Sequence, residues 1–156
     1  MWKIGLFLWL GLFSLGCSGV DEIPSGELTF VSGYQGSSSV DDVLSTVRLT
    51  VDRQMQKAIF THPDGTQQPF ALILDAEPPV SACPTSFSHS LLEVVRTDLA
   101  ELVVGDLRIV QPILVASCAI NAPPSWLTLK NYKSSRFQSE ACPGDENTTC
   151  FNFKLK

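Results

Sequence analysis

The chain is poor in histidine, in positive charge and in long apolar runs. Its 156 residues hold 2 histidines, 11 lysines and arginines, and 16 acids. With so few histidines, a histidine-based metal site would need other ligands, since such sites take three or four. No basic run is dense enough to suggest nucleic acid as a partner. The overall acidity also argues against adsorption to anionic lipid by charge alone. No apolar stretch reaches the roughly 20 residues of a membrane-spanning helix. There is no Gly-x-Ser-x-Gly nucleophile motif, no close Cys-x-x-Cys pair, no EF-hand pattern, and no heptad or internal repeat. No motif implies a cofactor.

What is present begins at the N-terminus. Lys3 precedes Ile4–Leu15, an uncharged run of 12 residues. As a helix it would span only about 18 Å, against about 30 Å of bilayer hydrocarbon. That is the length of the apolar region of a cleaved export signal, which takes no part in the fold.

The run ends in Ser14-Leu15-Gly16-Cys17. This resembles the lipobox of bacterial lipoproteins, with Ser14 where that family most often has leucine. The resemblance covers residues 1–18. It implies cleavage before Cys17, acylation of Cys17, and a membrane partner held through that lipid. Ser18 follows where aspartate favours inner-membrane retention in the family, so the resemblance points to the outer membrane. Ser14 and Gly16 also satisfy the small-residue rule of ordinary signal peptidase, which would release a freely secreted, non-lipidated domain. Residues 18–26, SGVDEIPSG, read as a short tether after Cys17, spanning at most about 30 Å when extended.

Cysteine arithmetic fits an anchored reading. There are 5 cysteines. With Cys17 acylated, Cys83, Cys118, Cys142 and Cys150 remain, an even number in an exported chain, and export favours disulfides over zinc. Four cysteines allow three pairings. Nearest neighbours in sequence, Cys83–Cys118 and Cys142–Cys150, are the preferred one.

The body, residues 27–156, reads as a single β-rich domain. Glu27–Val31 is a first strand, followed by a Gly/Ser loop over residues 33–39. Val47, Leu49 and Val51 alternate with polar neighbours, the period of a sheet with one wet face. Lys57–Thr61 is a strand, His62-Pro63-Asp64-Gly65 a turn, and Gln68–Asp75 a further strand, together a meander. Residues 90–103 fit either a helix or strands; Val94, Val95, Val103 and Val104 favour strands. Gly105-Asp106 turns the chain into Leu107–Val110 and on to Val115. Trp126–Lys130 alternates, and so does Cys150–Lys156, where Lys154 and Lys156 suit an edge strand. The expected fold is mostly β, an antiparallel sandwich or barrel of about eight short strands.

Candidate chemistry is sparse. His62 with Asp64 supplies too few ligands for a metal. His89 between Ser88 and Ser90 cannot form a catalytic pair along an extended chain, where neighbours point to opposite faces. The acids Asp41, Asp42, Glu140, Asp145 and Glu146 read as solvated faces. Tyr34, Trp126 and Tyr132 are candidates for an exposed aromatic platform. The reading that results is a non-enzymatic, membrane-anchored lipoprotein, a binding or structural module of the bacterial envelope with an envelope or extracellular partner. Its rivals are an envelope hydrolase with dispersed site residues and the freely secreted domain.

Overall fold

The computed structural model describes residues 20–74, 80–81, 91–117, 126–132, 142 and 146–156. Cys17, Cys83, Cys118, His89 with its flanking serines, Glu140 and Asp145 lie outside the described residues. In chain order the elements are β1 (Val20–Asp21), β2 (Gly26–Gln35), β3 (Ser38–Ser39), α1 (Asp41–Leu44), β4 (Arg48–Asp52), β5 (Lys57–Thr61) and β6 (Gln67–Ile73). Then come β7 (Val80–Ser81), β8 (Leu91–Leu92), β9 (Val94–Thr97), β10 (Glu101–Val104), β11 (Leu107–Val110), β12 (Pro112–Ser117), β13 (Trp126–Asn131) and β14 (Thr149–Leu155).

Eight of these strands form a ring in the order β2, β4, β5, β6, β9, β12, β13, β14, each antiparallel to the next, and β14 pairs back onto β2. The fold is therefore a closed antiparallel barrel, which decides between the sandwich and barrel alternatives. An eight-stranded ring is just wide enough for side chains to fill its interior. Register fixes which residues do so. Leu49 lies opposite Phe60, Leu28 opposite Leu49, Phe153 opposite Leu127, and Leu129 opposite Leu114. All are fully buried. The Phe153 ring packs edge-on against Phe30 and Phe60, with centroids 6.2 and 6.4 Å apart. Burying each such side chain is worth about 1.5–3 kcal/mol.

Residues 91–92, 94–97 and 101–104 are strands, as Val94, Val95, Val103 and Val104 favour, and the one described helix is the single turn Asp41–Leu44. Other expectations change. The Gly/Ser segment does not begin a loop at Gly33, because β2 continues to Gln35. A Cβ at Gly33 would lie 2.7 Å from Leu44 Cδ1, so only glycine lets α1 pack its leucine there. The last strand is not an edge. It pairs on both sides, and Asn152 on its supposed wet face is buried. The ladder to β2 shifts register between Asn152 and Phe153, accommodating Val31 as an extra residue of β2.

In an antiparallel ring the connections alternate between two ends. One end carries the β4–β5 turn, the start of β2, the start of β9 and the end of β14. The other carries α1, the 62–66 turn and the β10–β11 hairpin. That hairpin leaves the ring between β9 and β12. Its tip, Gly105, would bring a Cβ within 3.9 Å of Val43, on the helix joining β2 to β4. Since β9 and β2 are four strands apart either way round, the hairpin crosses the mouth. Leu102, Val104, Leu107 and Ile109 form its buried face, so it closes this end as a lid.

Candidate functional site

Among the described residues, three places bring polar chemistry together. The first is a cleft of about 320 Å³ where the lid leaves the ring. Gln111 adopts a left-handed φ of 46° there, bending β11 into β12. Thr97 donates its hydroxyl to the Pro112 carbonyl at 2.7 Å, and Asp98 accepts the Ala71 N–H at 2.7 Å. These bonds hold Arg96 at the cleft, with its guanidinium 5.7 Å from the Tyr132 ring centroid. A cation over an aromatic face offers a flat, positively charged shelf that suits a planar or anionic group.

The second is a polar groove of about 410 Å³ on the outer surface of β2, β4 and β5, lined by Glu27, Arg48, Thr50, Thr61, His62 and Gln67 among others. Arg48 lies 3.5 Å from the Glu27 carboxylate, which Lys156 also approaches at 3.5 Å. His62 is positioned by the β5–β6 turn. Gly65 donates to the His62 carbonyl at 2.9 Å, and Gly65 adopts a φ of 85°, as the three-residue hairpin loop requires. The His62 ring packs edge-on to Phe60, and Nε2 meets Gln68 Oε1 at 3.0 Å. Asp64 accepts the Thr66 N–H at 2.8 Å. That hydrogen bond, with a smaller contribution from the charge of His62, holds the Asp64 carboxyl below its ordinary pKa. His62 and Asp64 are thus committed to building a turn.

The third lies at the other end. Glu93, between β8 and β9, makes a two-point ion pair with Arg53 of the β4–β5 turn. Glu93 also accepts the Ile23 N–H at 2.7 Å. Arg53 approaches Glu22 at 3.9 Å, and its own N–H donates to Ser25 Oγ at 3.0 Å. The bond to Glu93 raises the Arg53 pKa above its ordinary value. Charge-assisted fork geometry of this kind fixes position as well as energy. None of these residues was singled out from sequence. The available signal was Glu93 itself, a lone acid within the apolar stretch Leu91–Val95.

Of the residues the sequence proposed, Cys142 and Cys150 are joined in a disulfide with a Cα–Cα distance of 6.3 Å. Tyr34, on β2, and Tyr132, just past the end of β13, are each half-buried. Trp126 is half-buried, and its indole N–H, shielded from water, meets no acceptor among the described residues. Asp41 accepts the Gly33 N–H at 2.7 Å, which ties α1 to β2, and Asp42 is exposed. Glu146 is exposed. Among the described residues no group of three His, Cys, Asp or Glu is placed to hold a metal, and no helix is long and apolar enough to cross a membrane. Comparison with protein-family models, curated proteins and solved structures finds no match.

Proposed function

We propose that this chain is a lipid-anchored, non-enzymatic module of the bacterial envelope, one that presents a binding surface on the outside of a packed barrel. The observation that carries the reading is the apolar run Ile4–Leu15 ending in Ser-Leu-Gly-Cys, with Cys17 as the acylated residue. The barrel interior supports the second half of the proposal. Phe60, Phe151, Phe153, Leu49 and Leu114 fill it, so recognition falls to outer surfaces such as the Arg96–Tyr132 cleft. The polar groups that could have served chemistry, His62 and Asp64 among them, are engaged in holding a turn. The partner is an envelope or extracellular molecule reached from the membrane, and Ser18 points to the outer membrane.

Membrane fractionation of cells expressing the chain, with and without Cys17→Ala, tests the anchor. The unaltered protein is expected in the membrane fraction, with a mature mass equal to residues 17–156 plus acyl chains. The variant is expected to leave that fraction or to accumulate uncleaved. A variant that matures unchanged and stays in the membrane overturns the anchor. A mature mass matching residues 17–156 without lipid supports the freely secreted domain instead.

A further inference from the structure

The segment after Cys17 reads in sequence as a tether, yet the structure binds it to the barrel residue by residue. Val20 and Asp21 pair in parallel with Leu91 and Leu92. Ile23 is 1% exposed. Its N–H is held by Glu93, and Arg53 engages both Glu22 and Ser25. Every one of these attachments lies at the end of the ring that carries the β4–β5 turn. Only two residues, Ser18 and Gly19, separate Cys17 from Val20, so the two Cα atoms lie at most about 10 Å apart along extended chain. The acylated residue therefore cannot travel far from that end.

The same end has a surface suited to lipid headgroups. The tip of the β4–β5 turn presents Met55 with 60% of its surface exposed, flanked by exposed Gln54 and Gln56 and followed by exposed Lys57. The neighbouring acids each have a partner within the protein. Glu93 and Glu22 face Arg53, and Asp52 accepts the Met55 N–H at 2.9 Å. Met55 and Lys57 offer a bilayer interface one apolar side chain and one cation, a small addition to the hold of the acyl chains.

We infer that the barrel stands end-on at the membrane, with the Arg53–Gln56 turn in the lipid headgroups and the lidded mouth turned away from them. This rests on acylation of Cys17 as proposed above. It gives the lipid surface as the partner of one end and leaves the opposite end, where Val43, Val103 and Val110 are exposed, to face whatever the module binds.

Hydrogen exchange read by mass spectrometry tests the orientation in two preparations. One is the protein purified from membranes and placed in vesicles of phosphatidylethanolamine and phosphatidylglycerol. The other is residues 17–156 coupled through the Cys17 thiol to a maleimide phospholipid in the same vesicles. The unlipidated chain in buffer is the reference. Amides of residues 53–57 are expected to exchange more slowly on vesicles, by on the order of tenfold, while those of 62–66 and 103–110 stay unchanged. Slowing at the lidded end, at both ends alike, or at neither overturns the orientation. A native preparation with no acyl mass on Cys17, while the coupled one keeps the expected pattern, overturns the anchor and upholds the docking geometry. Glu93→Gln, which weakens the hold on Ile23 and Arg53, is expected to reduce the difference between the two ends in the coupled preparation. An unchanged difference would show that the docked segment does not set the orientation.

Discussion

The two halves of the barrel wall bury their residues differently. In β4, β5 and β6 one face is buried and the other wet: Leu49, Val51, Ala58, Phe60, Phe70 and Leu72 point in, while Arg48, Thr50, Lys57 and Pro69 are exposed. In β12, β13 and β14 both faces are buried. Ile113 and Val115 point outward yet are 2% and 5% exposed, and Thr128, Lys130 and Asn152 on the same outer face are 6–8% exposed. Cys150 also points outward, and its disulfide holds Cys142 on that surface. A two-sided strand must satisfy its outward polar groups within the protein, because an unpaired buried group costs about 1–3 kcal/mol. The structure does so with a short ladder across three strands: Thr128 donates to Asn152 Oδ1 at 2.7 Å, and Asn152 Nδ2 donates to Ser32 Oγ at 2.9 Å.

The contrast can be broken most directly at the core. Phe153→Ala removes a fully buried ring from the closing strand and is expected to cost about 3–5 kcal/mol. Ile59→Ala, on the half-buried outer face of β5, is expected to cost about 1 kcal/mol or less. Urea denaturation midpoints of the two variants against the parent give the comparison. Equal costs would mean that β14 is not the closing strand of the barrel.

A smaller effect separates the two outer faces. Asn152→Ala leaves the hydroxyls of Thr128 and Ser32 without this partner in a buried layer, and is expected to cost about 1–3 kcal/mol. Thr50→Ala, on the wet outer face of β4, should stay within about 0.5 kcal/mol. If both variants melt together with the parent, the outer face of β13 and β14 is wetter than its burial indicates.

The same contrast explains what the sequence made legible. Lys57–Thr61, the His62–Gly65 turn and the Gly105-Asp106 turn were read correctly because alternation and turn residues are local signals. Closure of the ring was not readable. Phe153 and Phe30 meet across more than a hundred residues, and no short window records that. Lys154 and Lys156 suggested an edge, since lysine on a strand usually marks one. Here Lys154 is exposed at the rim of a strand paired on both sides. The Arg53–Glu93 pair was equally hidden, being a contact between a turn and a strand junction 40 residues away. The proposed anchor, by contrast, rests on the contiguous motif Ser14-Leu15-Gly16-Cys17, which is a local signal.

The smallest expected effect lies in the wet half, at Asp64. The Thr66 N–H donated to its carboxylate holds the Asp64 pKa below the ordinary value, and the charge of His62 adds to this. The unfolded chain therefore takes up the proton more readily than the folded one. The stabilisation is complete above the ordinary carboxylate range and is lost as pH falls through the lowered folded value. Asp64 is fully exposed, so solvent screens the interaction and the effect on stability is minor. Asp64→Asn keeps a side-chain carbonyl that can accept the same N–H, so the turn is expected to persist while the titrating group is gone. Thermal midpoints followed from about pH 5 to about pH 2 should fall less steeply in this variant than in the parent. Parallel curves would mean that the Asp64 carboxylate gains nothing from the turn it closes.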